Sequence, residues 1–377
     1  MAGADGAHRD RETAVCDPAP MKVSSIAVTV VVQALLNGDW AFANQRFDRT
    51  SALLLEIRTD DGVSGLGFAV QGLHLGEALD GMRRVMAEDV EPLVVGRDPF
   101  DVEAVAADLA GRFPGYTRTK AAVETALFDI MGKALGIPVY QLLGGKVRAT
   151  IPVIRILPIK APADMARNAE AVVADGYRFL KIKVGTDPDL DVERVREIRR
   201  AVGDGIGLTI DVNQGWTPKV AIATLRRMEE FGVAIVEQPV PADDHLGLAM
   251  VKGSTSILVE ADESAGSLAD IVRLGREGAV DAVSLKSGKL GGLLATRKAA
   301  ALCQAANLRC RIGMAGASRF NAAADMHVVA ATPNIDYACE LAEFTRMESD
   351  PADGLEIVNG ELTVPELPGI GVVRRER

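Results

Sequence analysis

From about residue 150 the sequence settles into a repeat. Short apolar runs at 151–157, 179–184, 207–212, 233–237, 257–261, 280–285, 308–312 and 335–340 read as strands. Helical stretches at 162–175, 188–202, 217–231, 267–277, 292–306 and 318–331 separate most of them. Strands alternating with helices imply a parallel sheet with right-handed crossovers. Eight such strands in roughly 190 residues fit a closed α/β barrel of the TIM type better than an open sheet. A barrel of that kind keeps its reactive side chains at the C-terminal ends of its strands, so those ends are where chemistry is to be sought.

The chain ahead of the repeat has a different texture. Residues 21–35 and 50–59 alternate like antiparallel strands, the second followed by the turn signal DDG. Between them NGDWAFANQRFDR, 37–49, reads as a long polar and aromatic loop, a kind of segment that often carries function. Helical patterns follow at about 76–93, 99–111 and 117–135, so this part is α+β. Residues 1–20 are rich in Ala, Gly, Asp and Pro, lack the apolar stretch of a signal peptide, and read as a flexible leader.

Bulk properties exclude several classes of partner. A net charge of −10 argues against nucleic acid and anionic membrane. The longest apolar candidate, Ile26–Leu36, holds a glutamine and is too short to span a bilayer. Cys16, Cys303, Cys310 and Cys339 form no CxxC, so reduced thiols in a cytoplasmic protein are expected, without a zinc site.

Read in order, the strand ends carry ionisable groups. FLKIKVG sends Lys181 and Lys183 to one face of strand two and Leu180 and Ile182 to the other. Strand three ends in Asp211 and Asn213, strand four in Glu237, strand five in Asp262 and Glu263, strand six in Lys286. Strand seven ends near 313–318, with Met314 at its tip, and strand eight near Glu340. Unpaired buried carboxylates are costly. Three that converge, with oxygen donors only, suit a hard divalent cation, Mg²⁺ first and Mn²⁺ second. Strands two and six lie half a barrel apart, so Lys183 and Lys286 face each other across the cavity. Lys183 reads as a general base whose pKa the charge of Lys181 depresses, with Lys286 working from the opposite side.

Each motif alone has an ordinary explanation. A KxK strand is usually a surface face, EQP a strand–turn boundary, ADES a helix N-cap, and Lys286 a side chain that snorkels to solvent. Five successive strand ends in the order base, acid, acid, acid, base are not explained that way. His327, in an Ala-rich helical stretch, reads as packed. Trp40 and Phe42 read equally as core or as a cover over substrate.

These motifs, KIK (181–183), DVN (211–213), EQP (237–239), ADE (261–263) and KSGKLGG (286–292), with ALFDIMGKALGIPVYQLLGG (126–145), resemble the enolase superfamily and within it the muconate lactonizing enzyme subgroup. The resemblance runs from about residue 21 to the end. It implies an α+β capping domain over 21–145, a (β/α)7β barrel over 146–345, and a segment 346–377 returning to the cap. It implies one Mg²⁺ on Asp211, Glu237 and Asp262, bases at Lys183 and Lys286, and Asn213 and Glu263 as residues that orient them. The superfamily is itself a standing example of a Lys or His base working with Mg²⁺ on an ene-diolate. No histidine follows strand seven, which disfavours the mandelate-racemase type.

The implied reaction removes a proton α to a carboxylate of a small-molecule substrate. Racemisation or epimerisation of an amino-acid derivative is the leading outcome, with cycloisomerisation or dehydration on the same site as alternatives. A Schiff-base lysine aldolase and a non-catalytic binding barrel are the readings from other classes. Substrate contacts are expected from the cap loops, through Trp40, Arg46 and His74, and from Met314, Glu340 and Glu343, the last two as receivers of a substrate ammonium. A homo-oligomer is expected from the resemblance.

Overall fold

The structure, a computed structural model, describes residues 21–375 apart from 37–39, 44, 73–75, 314, 315 and 336. The leader, His74 and Met314 lie outside the described residues.

Ile154–Leu157, Phe179–Lys183, Gly207–Asp211, Val233–Glu237, Leu258–Ala261, Ala282–Leu285 and Arg309–Ile312 pair in sequence order in one seven-stranded parallel sheet. They are barrel strands one to seven. The expected eighth strand closes the ring without a continuous ladder. Cys310 bridges to Ile335 and Val153 to Cys339, both parallel, and the Glu340 N–H donates to the Ile312 carbonyl at 2.9 Å. The expected first strand splits at Val153. Thr150–Pro152 pairs antiparallel with Glu361–Thr363, and only Ile154–Leu157 enters the barrel.

Helices Pro162–Ala174, Pro188–Val202, Pro218–Met228, Leu268–Glu277, Leu293–Ala305 and Arg319–Ala331 occupy the expected stretches. Three begin with proline, which lacks only an N–H that the first turn leaves unpaired anyway. Asp187, Thr217, Ser267 and Ser318 cap their helices through side-chain oxygens. A seventh barrel helix, His245–Lys252, escaped the periodicity reading because Leu246 (81 % exposed) and Met250 (54 %) put apolar residues on its outer face.

In the N-terminal part, Val23–Ala34, Arg49–Thr59 and Ser64–Val70 form an antiparallel sheet with Arg49–Thr59 in the middle. Helix Thr117–Leu135 lies so close to it that a Cβ on Gly65 or Gly67 would stand 2.0 Å from the Ala126 or Ala122 carbonyl. The stretch expected as helix 76–93 is broken into Leu79–Val85, a π turn Met86–Val90 and Glu91–Val94. The π turn comes just before Pro92, whose ring and missing N–H disturb the regular ladder. The expected 37–49 loop contains a hairpin, Trp40–Phe42 with Gln45–Phe47. It leans on the barrel mouth: the Ile159 N–H donates to the Ala41 carbonyl, and Trp40 is buried with Ile154, Ile156, Ala317, Ala338 and Met347. No helix among the described residues is long and apolar enough to cross a membrane.

One contact ties this part to the barrel and titrates. Glu124, on helix Thr117–Leu135, accepts the Leu294 N–H at 2.9 Å at the start of helix Leu293–Ala305. Gly292 makes room for it, since a Cβ there would meet the carboxyl at 2.4 Å. Burial pushes the carboxyl up to about 7 although the Leu294 and Leu293 N–H groups pull the other way. A carboxyl raised in the folded state favours folding below its ordinary pKa and loses that advantage as pH rises to 7. The shift corresponds to about 3 kcal/mol. Glu124→Gln keeps an acceptor oxygen, so urea unfolding should show it gaining up to about 3 kcal/mol on the parent between pH 5 and pH 8. Parallel stability profiles for the two proteins would contradict this.

Candidate active site

Strand alternation places the lysines of barrel strand two. Leu180 and Ile182 are fully buried in the hydrophobic core, while Lys181 and Lys183, 1 % and 7 % exposed, turn the other way. Lys181 Nζ lies 2.8 Å from Asp211 Oδ2, 2.7 Å from Glu237 Oε2 and 2.8 Å from Glu340 Oε1. One ammonium thus gathers the ends of strands three, four and eight. Burial opposes that charge, but Asp211, Glu237 and Glu340 outweigh it and hold the pKa well above the ordinary lysine value. These acids favour the ammonium form of Lys181.

Lys183 Nζ donates to Asp211 Oδ2 at 2.6 Å and to Asn213 Oδ1 at 2.8 Å. Asn213 in turn donates from Nδ2 to Glu263 Oε1 at 3.3 Å and from its backbone to Asp211 Oδ1 at 2.9 Å. From strand six, Lys286 Nζ donates to Asp262 Oδ2 at 2.5 Å. Burial would raise the Asp262 pKa, yet Lys286 and Lys289 hold it well below the usual carboxylate range. Burial, and then the neighbouring Asp211, push Glu237 well above its ordinary value.

The backbone turns sharply where these strands end. Asn213 and Gln238 adopt left-handed φ of 44° and 36° within two residues of the strand ends, the kind of strained conformation that clusters at functional sites. Gln238, fully buried, accepts the N–H groups of Asp262 and Ser264 at 3.0 and 3.1 Å and donates to the Val240 carbonyl and Ser264 Oγ. It locks the ADES turn to the end of strand four. Gln238 and Lys289 lie within the EQP and KSGKLGG motifs, without a role assigned to either from the sequence. Lys289 donates to the carbonyl and Oδ1 of Asp262 at 2.6 and 2.9 Å. Its signal was the i, i+3 spacing from Lys286 across one turn.

The substrate-contact expectations fare differently. Glu340 does not stand ready for a substrate ammonium: it is 3 % exposed and paired with Lys181 and, at 2.8 Å, with Arg311 Nη1. Glu343 is equally buried and pairs with Arg346 at 2.5 Å. Basic partners already occupy both acids, from strands two and seven for Glu340 and from the same short turn for Glu343. Trp40 is packed, with the Arg346 guanidinium 4.0 Å from its ring centroid. Arg46 is exposed.

Whether these acids suit a divalent cation is decided by Glu237. Its Oε1 is buried and has no hydrogen-bond partner, and Asp211 lies opposite Glu237 on the neighbouring strand. Among the described residues no three His, Cys, Asp or Glu side chains stand at metal-holding spacing; lysine ammonium groups lie against the carboxylates instead. An all-oxygen donor set with an orphaned carboxylate oxygen fits Mg²⁺.

Residues 25–144 match the mandelate racemase/muconate lactonizing enzyme N-terminal domain, and residues 164–377 match the enolase C-terminal domain-like model. The chain belongs to the mandelate racemase/muconate lactonizing enzyme family. Among family members, it is 35 % identical over 323 residues to an L-Ala-D/L-Glu epimerase of Clostridium acetobutylicum, covering 85 % of this chain and 90 % of that one. It is 32 % identical over 362 residues to a chloromuconate cycloisomerase of Cupriavidus necator, covering 93 % and 96 %. A crystal structure of the dipeptide epimerase of Enterococcus faecalis V583, complexed with Mg and the dipeptide L-Leu-L-Tyr, superposes with a TM-score of 0.89 at 32 % identity, covering 94 % of this chain and all of that one. The family members it resembles are thus isomerases on the same cap and TIM-like barrel.

Proposed function

We propose that the chain is a racemase or epimerase that removes the proton α to the carboxylate of an amino-acid derivative and returns one on the opposite face. The observation that carries this is the pair of lysines from strands two and six, each hydrogen-bonded to a different inward carboxylate, Lys183 to Asp211 and Lys286 to Asp262. Glu237 ends the strand between those two acids. In one direction Lys183, as the free amine, takes the α-proton and becomes an ammonium, while Lys286 gives its proton to the other face of the carbanion. The reverse direction exchanges the two roles. Lys181 stays charged throughout, so its part is electrostatic. Asn213 keeps Lys183 directed at the α-carbon, and Lys289 holds the Asp262 carboxylate in place.

Asp211, Glu237 and Asp262 would hold Mg²⁺, which when bound supplies positive charge at the substrate carboxylate as negative charge develops there. The hardness of three carboxylates favours Mg²⁺, with Mn²⁺ the nearest substitute. The named activities of relatives point to a dipeptide or similar amide-bearing acid. The likeness to a chloromuconate cycloisomerase supports a second reading, in which the same carbanion closes or opens a lactone. We place the enzyme in the cytoplasm, in keeping with cysteines that form no CxxC, and as a homo-oligomer, in keeping with the family resemblance.

A panel of dipeptides, N-acyl amino acids and cis,cis-muconate, incubated with protein and Mg²⁺ and followed by NMR, tests the proposal. Epimerised dipeptide or racemised N-acyl amino acid is expected, lost with EDTA and restored by excess Mg²⁺. Lactone formation alone would select the second reading, and EDTA-insensitive turnover would contradict the metal assignment.

A further inference from the structure

Besides Lys181, the barrel interior holds another cation that the proton transfers do not use. Arg311, on barrel strand seven, has no exposed surface. Its Nε donates to both oxygens of Glu260 at 3.0 Å, and Nη2 donates to Glu260 Oε2 at 2.7 Å. The same Nη2 donates to Glu237 Oε2 at 2.5 Å. Glu237 and Glu260 lie opposite each other on neighbouring strands, where two carboxylates on one face would repel. Arg311 joins them.

The consequence lies in which oxygen is taken. Lys181 also sits on Glu237 Oε2, at 2.7 Å. One oxygen of Glu237 therefore bears two cations, while Oε1 is buried without a hydrogen-bond partner. We infer that Arg311, seated on Glu260, is a positioning residue that pins Glu237 by Oε2 so that Oε1 alone is offered to the divalent cation. This rests on the reading that Glu237 is a Mg²⁺ ligand. A pinned carboxylate presents a single oxygen, which suits the small, octahedral Mg²⁺. A carboxylate free to rotate can offer both oxygens, which suits the larger Ca²⁺. Arg311 thus sets both affinity and selectivity for the ion, without touching substrate.

Removing Arg311 alone would strand Glu260 as an unpaired buried charge. The informative protein is therefore the double variant Arg311→Met/Glu260→Met, with Arg311→Lys beside it. Lysine keeps the charge but loses the fork that spans two carboxylates. Calorimetric titration with MgCl₂ and CaCl₂, together with thermal melting, reads the outcome. The expected result is that the variants melt near the parent while the Mg²⁺ Kd weakens about 10- to 100-fold, the range for residues that orient metal ligands, and the Ca²⁺ Kd weakens less. Parent-like Mg²⁺ affinity in a folded variant, whether the double one or Arg311→Lys, would overturn the inference alone. Failure of the parent itself to bind Mg²⁺ would overturn the cation reading and the inference with it.

Discussion

Replacing Lys286 by alanine is expected to end racemisation in both directions while leaving deuterium wash-in from one enantiomer of the substrate. Inversion needs a base on one face and an acid on the other, so either lysine is indispensable for turnover. Exchange without inversion needs only the lysine on the face where the proton sits. The loss of turnover should reach at least the 10²–10⁴-fold range of a removed general acid or base. Lys183→Ala should behave the same way toward the opposite enantiomer. Both variants should fold, because each deleted lysine leaves its carboxylate another partner. Asp262 keeps Lys289 at 2.9 Å, and Asp211 keeps Lys181 at 2.8 Å. Chiral chromatography gives the turnover, and NMR in D₂O gives the wash-in for each enantiomer. Equal wash-in from both enantiomers in either variant would remove the division of faces.

The second large effect concerns Lys181. Lys181→Met is close to isosteric and deletes the charge on which Asp211, Glu237 and Glu340 converge. Lys183 still pairs with Asp211, and Arg311 with Glu237 and Glu340, so the interior keeps two of its cations. It has lost the one that all three acids share. Breaking a buried ionic network by removing one partner costs about 3–5 kcal/mol, and a loss of that size is expected in urea unfolding without added metal. Mg²⁺ binds only the folded state, so saturating it should return part of the loss. A change below about 1 kcal/mol, within the range of surface ion pairs, would mean that Lys181 does not hold the site together.

Much of this was legible in the sequence, and the reasons are specific. The period-2 rule alone sets Lys181 and Lys183 on the face opposite Leu180 and Ile182. The β-α repeat then delivers Asp211, Glu237, Asp262 and Lys286 to neighbouring strand ends. Pairing across the barrel was not legible. Lys181 and Glu340 are 159 residues apart in the chain, so Glu340 looked available to a substrate when its partners were already present. Arg311 was missed for a related reason. In RCRI, Arg309 and Arg311 share a face, yet Arg309 is exposed and Arg311 fully buried. The difference lies in partners remote in the chain, Glu260 (51 residues earlier), Glu237 and Glu340, which meet Arg311 inside the barrel. Likewise, the hairpin at Trp40–Phe47 reads as loop because its strands are three residues each, too short to display an alternation.

One measurement reaches the centre of this account. A single enantiomer of an active dipeptide or N-acyl amino acid is incubated with the wild-type protein and Mg²⁺ in D₂O, and its α-carbon is followed by ¹H NMR and mass spectrometry. The account predicts that the inverted product forms with one solvent deuterium at Cα, and that the opposite enantiomer, offered separately, does the same. Inverted product that keeps the original α-proton would contradict it, because no transfer between opposed lysines can deliver that hydrogen to the other face.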